Sequence, residues 1–149
     1  MAITRRIKGD IMKKFKYLED VAIADIAFEA YGKTLNEVFE NSAYSFFDIT
    51  CNPKTIKPKI KKEIKLKNKN EKDLLYNFLS ELVFLKDKQL IFSKIKVNIK
   101  NGRLKAILYG DKIDPEKQEL RNDIKAITFH LFNLEKTKIG YKTTVVVDI

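Results

Sequence analysis

Residues 91–109, IFSKIKVNIKNGRLKAILY, leave the chain little freedom. Ile91, Ser93, Ile95, Val97 and Ile99 alternate with Lys94, Lys96, Asn98 and Lys100, the period of a strand with one buried face. Asn101-Gly102 is the dipeptide preferred in a type I′ hairpin turn, and the return strand runs from Arg103 to Tyr109. The segment KIKKEIKLK repeats the alternation, setting Ile60, Lys62, Ile64 and Leu66 against Lys61, Glu63, Lys65 and Lys67. It reads as a strand with a charged outer face.

Two helices are equally legible. Thr34-Leu35-Asn36-Glu37 forms a capping box, in which Thr34 accepts from the backbone N–H of Glu37. Leu35, Val38, Phe39, Ser42, Ala43, Phe46 and Phe47 then recur at helical spacing to about Asp48. Asn70 caps a second helix, with Glu71 and Asp73 favouring the dipole in its first turn. Leu74, Leu75, Phe78, Leu79, Leu82 and Val83 form its apolar stripe, and it ends near Lys86.

Residues 1–11 read as an N-terminal extension and a candidate for disorder; the domain covers 12–149. Phe15 and Tyr17 mark a strand. In VAIADIAFEAYG, Ala24, Ile26, Phe28 and Ala30 share one face, and Ile23, Asp25, Ala27 and Glu29 the other. CNPKTIKP is a loop by its prolines. DPEKQELRND suggests one helical turn starting at Pro115. IKAITFHLFNLEK fits a helix or a strand, and its β-branched and aromatic content favours a strand, joined near Gly140 to YKTTVVVDI. The expected architecture is α+β: one domain, with two amphipathic helices packed on a largely antiparallel sheet of several strands.

The 149 residues suit one domain, and a hydrophobic content of 44% supports a packed core. Cys51 is the one cysteine, which rules out an internal disulfide and fits a reducing, cytoplasmic setting. No apolar run is long enough to span a membrane. The net charge is +10. It reads either as attraction to RNA, DNA or an acidic partner, or as a Lys/Ile-rich surface of the kind thermophile proteins carry. Arginine is scarce: Arg5, Arg6, Arg103 and Arg121.

Isolated glycines exclude a phosphate-cradling loop and a dinucleotide fingerprint. One histidine excludes a multi-histidine zinc site. His130 could pair with Cys51 or a serine, though a strand histidine with a local hydrogen bond is the simpler reading. Asp25 and Asp148 stand out as carboxylates in apolar strands, where an unpaired charge is costly. The Ile149 α-carboxylate lies beside Asp148. Such a set calls either for salt bridges or for a hard divalent ion with oxygen ligands.

YLEDVAIADIAFEAYGKTLNEVFENSAYSFFDI, the later IKAITFHLF and the terminal VVVDI resemble the archease family. The resemblance covers residues 13–149. It implies a non-catalytic protein that activates the tRNA-splicing RNA ligase, an enzyme that joins RNA ends using GTP and Mn²⁺. Archeases promote guanylylation of the ligase histidine, support multiple turnover and broaden nucleotide use. The resemblance also implies a metal site at Asp25, Asp148 and Ile149, with Ca²⁺ expected first and Mg²⁺ or Mn²⁺ as alternatives. The family writes its first motif His-Thr-Ala-Asp. Here Ala22-Ile23-Ala24-Asp25 keeps the Asp, lacks the His and Thr, and follows an extra residue or two, which suggests a bulge. Lys125 and His130, in another family block, are expected to serve packing. The alternatives are a basic RNA-binding module that holds tRNA exon halves, supported by the lysine run 54–72, and a metal-dependent hydrolase using Asp25 and Asp148.

Overall fold

The computed structural model describes residues 14–18 and 24–149. The expected extension at 1–11 and the bulge before Asp25 lie outside these residues. The elements are β1 (Phe15–Leu18), β2 (Asp25–Gly32), α1 (Leu35–Thr50), β3 (Ile60–Lys67), α2 (Glu71–Asp87), β4 (Leu90–Lys100), β5 (Arg103–Lys112), β6 (Ala126–Ile127), β7 (Asn133–Thr137) and β8 (Gly140–Asp148). Every strand pair is antiparallel. The α+β class is as expected. The strands divide into two sheets: β1-β2-β8-β6, with β7 also on β8, and β3-β5-β4.

Both helices start where their caps predict. Thr34 accepts from Glu37 N–H at 3.1 Å, and Asn70 from Asp73 N–H at 3.0 Å. α1 packs against β2 on one side and β4 on the other. Its buried residues therefore run nearly round the helix, Asn41, Ser42 and Ser45 among them.

One seam ties α1 to the second sheet. β4 is an edge strand, and an edge leaves backbone N–H groups unpaired. Asn36, Glu40 and Tyr44 lie one helical step of four residues apart and accept from the N–H groups of Ile99, Val97 and Ile95 at 2.8, 2.8 and 3.2 Å. Four residues of helix rise about 6 Å and two residues of strand about 6.6 Å, so the two periods run in step.

The C-terminus of α1 is closed by the strap 119–122. Arg121 N–H donates to Thr50 O and Asn122 N–H to Ile49 O, satisfying carbonyls that a helix end leaves orphaned. Buried Asp48 receives the Tyr17 hydroxyl and the Arg121 guanidinium. The preceding segment closes a single turn, with Lys117 and Gln118 N–H groups both reaching Asp114 O.

In the hairpin, Asn101 and Gly102 have φ of 52° and 74°, as a type I′ turn requires. Residues 124–136 depart from the continuous strand expected. Ile127 pairs with Val147 and Asn133 with Thr144, so five residues, 128–132, stand opposite two. The surplus is looped out, with Leu131 at φ 57° and Phe132 N–H bonded back to Phe129 O. This excursion exposes Phe129 and Leu131, at 73% and 58%, and Phe129 stacks on Tyr76 with ring centroids 4.2 Å apart.

Candidate metal centre at the end of the first sheet

β8 is the spine of the five-stranded sheet, and its last pairs position the site. Asp25 of β2 stands directly opposite Asp148 of β8, and Ala126 of β6 faces Asp148 from the other side. The next pair outward bonds through Ile149 N–H to Ala24 O at 2.8 Å. Asp25 and Asp148 therefore form a non-hydrogen-bonded pair, the closer kind, with Cα atoms about 4.5 Å apart and both side chains on one face. Lys125 N–H holds Asp148 O at 2.7 Å, so Asp148 and Ile149 are tied to both neighbouring strands. The Ile149 side chain packs against the core.

The alternation that puts Ile26, Phe28 and Ala30 into the core turns Asp25, Ala27 and Glu29 to the opposite face. Asp25 and Glu29 are thus neighbours on that face with different fates. Glu29 meets Lys16 at 3.2 Å and takes a hydrogen bond from the Tyr31 hydroxyl at 2.6 Å. Burial pushes its pKa up, but the Tyr31 and Lys16 bonds and the charges of Lys16 and Lys142 outweigh it and hold Glu29 below the ordinary glutamate range. Burial, joined by the same hydroxyl bond and the charge of Glu29, raises the Tyr31 phenol. Asp25 and Asp148 make no ion pair or side-chain hydrogen bond among the described residues, and each has the other as its cross-strand partner. Like charges directly opposite are destabilising, so this pair suits a cation between them.

The donor set fits a hard divalent ion: two half-buried carboxylates with the Ile149 α-carboxylate beside them offer oxygen alone. Among the described residues no three His, Cys, Asp or Glu side chains gather into a metal-binding group. An ion here would therefore complete its shell from the α-carboxylate, backbone carbonyls or water. The residues before Asp25, where the family's His and Thr are replaced, lie outside the described residues.

The other candidates separate. Cys51 is fully buried, its Sγ 3.5 Å from Asn52 O and Thr55 Oγ1, and burial raises its thiol pKa. His130 is exposed on the excursion, and no hydrogen bond joins the two. Neither His130 nor the exposed Lys125 serves core packing, contrary to expectation. The excursion itself was missed: period two in 124–134 gave no signal of the three surplus residues, which only the register with β8 reveals.

Two antiparallel sheets held apart by a central helix, with an acidic pair where the spine strand ends, define an α+β protein of the archease architecture. The chain matches the archease protein family (MTH1598/TM1083) over residues 15–149, and it belongs to that family. It is 38% identical over 141 residues to protein archease of Sulfurisphaera tokodaii, covering 93% of this chain and 100% of that one. Protein archease of Thermococcus kodakarensis is 40% identical over 134 residues, with 87% and 93% covered. The solution structure of Methanobacterium thermoautotrophicum protein 1598 superposes with a TM-score of 0.77 at 30% identity, covering 93% of this chain and 100% of the other. A Thermotoga maritima protein described as an archease and possible chaperone shares the fold, with a TM-score of 0.64 at 20% identity and coverage of 97% and 99%.

Proposed function

We propose that this protein is a non-catalytic, metal-binding activator of the tRNA-splicing RNA ligase, acting in the cytoplasm. In this reading it promotes guanylylation of the ligase histidine, supports multiple turnover and broadens nucleotide use. The observation that carries the proposal is the opposed pair Asp25 and Asp148 at the end of β8. Its charges are unmet within the described chain, whereas Glu29 on the same face is fully partnered. Family membership supplies the partner class.

Asp25, Asp148 and the Ile149 α-carboxylate would hold the ion, Ca²⁺ by preference. When bound, it supplies the positive charge that lets three anionic groups converge. The chain's own residues do the positioning. Ile149 N–H and Lys125 N–H fix the last two residues, and the Tyr76 ring, hydrogen-bonded through its hydroxyl to Ile127 O, holds Phe129 by stacking on the excursion after β6. The exposed Phe129 and Leu131, on the excursion that follows β6, suit contact with a protein partner.

The test is guanylylation of the cognate ligase with and without this protein. Wild type should stimulate it. Asp25→Ala and Asp148→Ala should fail to stimulate while keeping the native circular dichroism spectrum. Full stimulation by both variants would sink the proposal.

A further inference from the structure

The second sheet carries its own unbalanced charge. Its inner face packs Ile64, Leu104, Leu108 and Val97 into the core, so alternate residues face out. Register aligns these in four rows across β3, β5 and β4. The outermost row is Lys67, Arg103 and Lys100, followed by Lys65, Lys105 and Asn98. Behind them come Glu63, Ile107 and Lys96, then Lys61, Tyr109 and Lys94. Eight of these twelve positions are cations and one is an acid, which makes this a field of one sign rather than an ordinary mixed surface.

Three cross-strand pairs are cation against cation: Lys65–Lys105, Lys67–Arg103 and Lys100–Arg103. Such pairs destabilise a sheet. Glu63 pairs with Lys65 and Lys105, at 3.3 and 3.7 Å, and these cations, with the charge of Lys61, hold it below the ordinary glutamate range. The other six make no ion pair among the described residues. Lys65, Lys67, Lys100, Arg103 and Lys105 surround a shallow depression of about 540 Å³. Tyr109 and Ile107 lie behind it on the same face, with Lys94 Nζ 5.7 Å from the Tyr109 ring centroid.

We infer that this face binds single-stranded nucleic acid. Each strand carries a pair of cations two residues and about 6.6 Å apart, Lys65 and Lys67 on β3, Arg103 and Lys105 on β5, Lys94 and Lys96 on β4, so they can neutralise neighbouring groups of an extended polyanion. An open sheet with an aromatic ring among the cations is how single strands are commonly held, by backbone neutralisation and base stacking. The lysine run of the sequence supplies Lys61, Lys65 and Lys67; the ring it lacks comes from β5, where Tyr109 pairs with Lys61. The inference is independent of the ligase and of the metal.

The test uses the full chain and a fluorescent 20-residue oligouridylate, read by anisotropy from low to moderate salt. Five neutralised phosphates predict a log–log salt slope of about −3.5. The triple variant Lys65→Glu, Arg103→Glu, Lys105→Glu should bind at least about 10-fold more weakly, with the slope shallower by about 2. Tyr109→Ala should cost about 5-fold or more. A control triple with the same charge change at exposed Lys33, Lys57 and Lys138 should stay within about 2-fold if local contacts rather than net charge dominate. Thermal melts check that all variants fold. Absent binding at low salt, or equal losses in the two triples, would overturn the inference. So would polyglutamate displacing the oligonucleotide as well as unlabelled oligouridylate of equal charge, since the face would then fit an acidic protein.

Discussion

Each sheet sets like charges against one another, but on different scales. In the first sheet there is one acidic pair, Asp25–Asp148, at the last rung of the spine strand. In the second, cations oppose cations on several rungs of a broad open face. A pinned pair of carboxylates suits a point charge, and a ladder of cations suits an extended polyanion. The first should fail at a single substitution; the second should weaken by degrees.

The largest effect expected is metal linkage. A ligand at about 1,000 times its Kd stabilises by about 4 kcal/mol. Ca²⁺ should raise the wild-type melting temperature over EDTA and leave Asp25→Asn and Asp148→Asn unmoved; calorimetry of the three proteins decides it. Adding one glycine after Ile149 should remove most of that Ca²⁺ response while the metal-free melt stays near wild type. If the extended protein responds like wild type, the α-carboxylate is not a ligand.

Next comes the seam between the sheets. Glu40→Ala leaves Val97 N–H without its acceptor on a half-buried edge and should cost about 1–3 kcal/mol in urea unfolding. A loss well under that range would mean that water replaces the carboxylate at no cost. A smaller effect has the opposite sign. Without metal, Asp25→Asn should stabilise the fold by about 0.2–1 kcal/mol, because it relieves the facing charges. If both results hold, the same substitution helps the empty protein and harms the loaded one.

The smallest effect is pH-dependent. Glu29 has a folded pKa below its ordinary value of 4.5, so its contribution is present above that value and lost as pH falls through the folded pKa. The contribution of its partly exposed Lys16 pair should be no more than about 1 kcal/mol. Glu29→Gln should flatten the stability profile below pH 4.5 and change little at neutral pH.

Much of the fold was legible locally. Thr34 and Asn70 announce both helices because a capping side chain bonds only two or three residues ahead. Asn101-Gly102 fixes its hairpin because few other dipeptides accept two positive φ values. Asp25 and Asp148 stood out because a carboxylate in an apolar strand is costly wherever its partner lies. The failures were non-local. The strand through residues 124–136 breaks because β8 offers two partners to five residues, a mismatch that no periodicity records. The Asp48–Arg121–Tyr17 cluster joins three segments far apart in sequence.

By itself, then, the sequence determined the elements and the unusual residues, since caps, turns and alternation act within a few residues. Only the tertiary structure decided the pairings. It set Asp25 against Asp148, partnered Glu29 while leaving its neighbour without an ion pair or side-chain hydrogen bond among the described residues, and brought Tyr109 beside the lysines of β3. Those outcomes depend on strand order and register, which the packing of both sheets on α1 settles together.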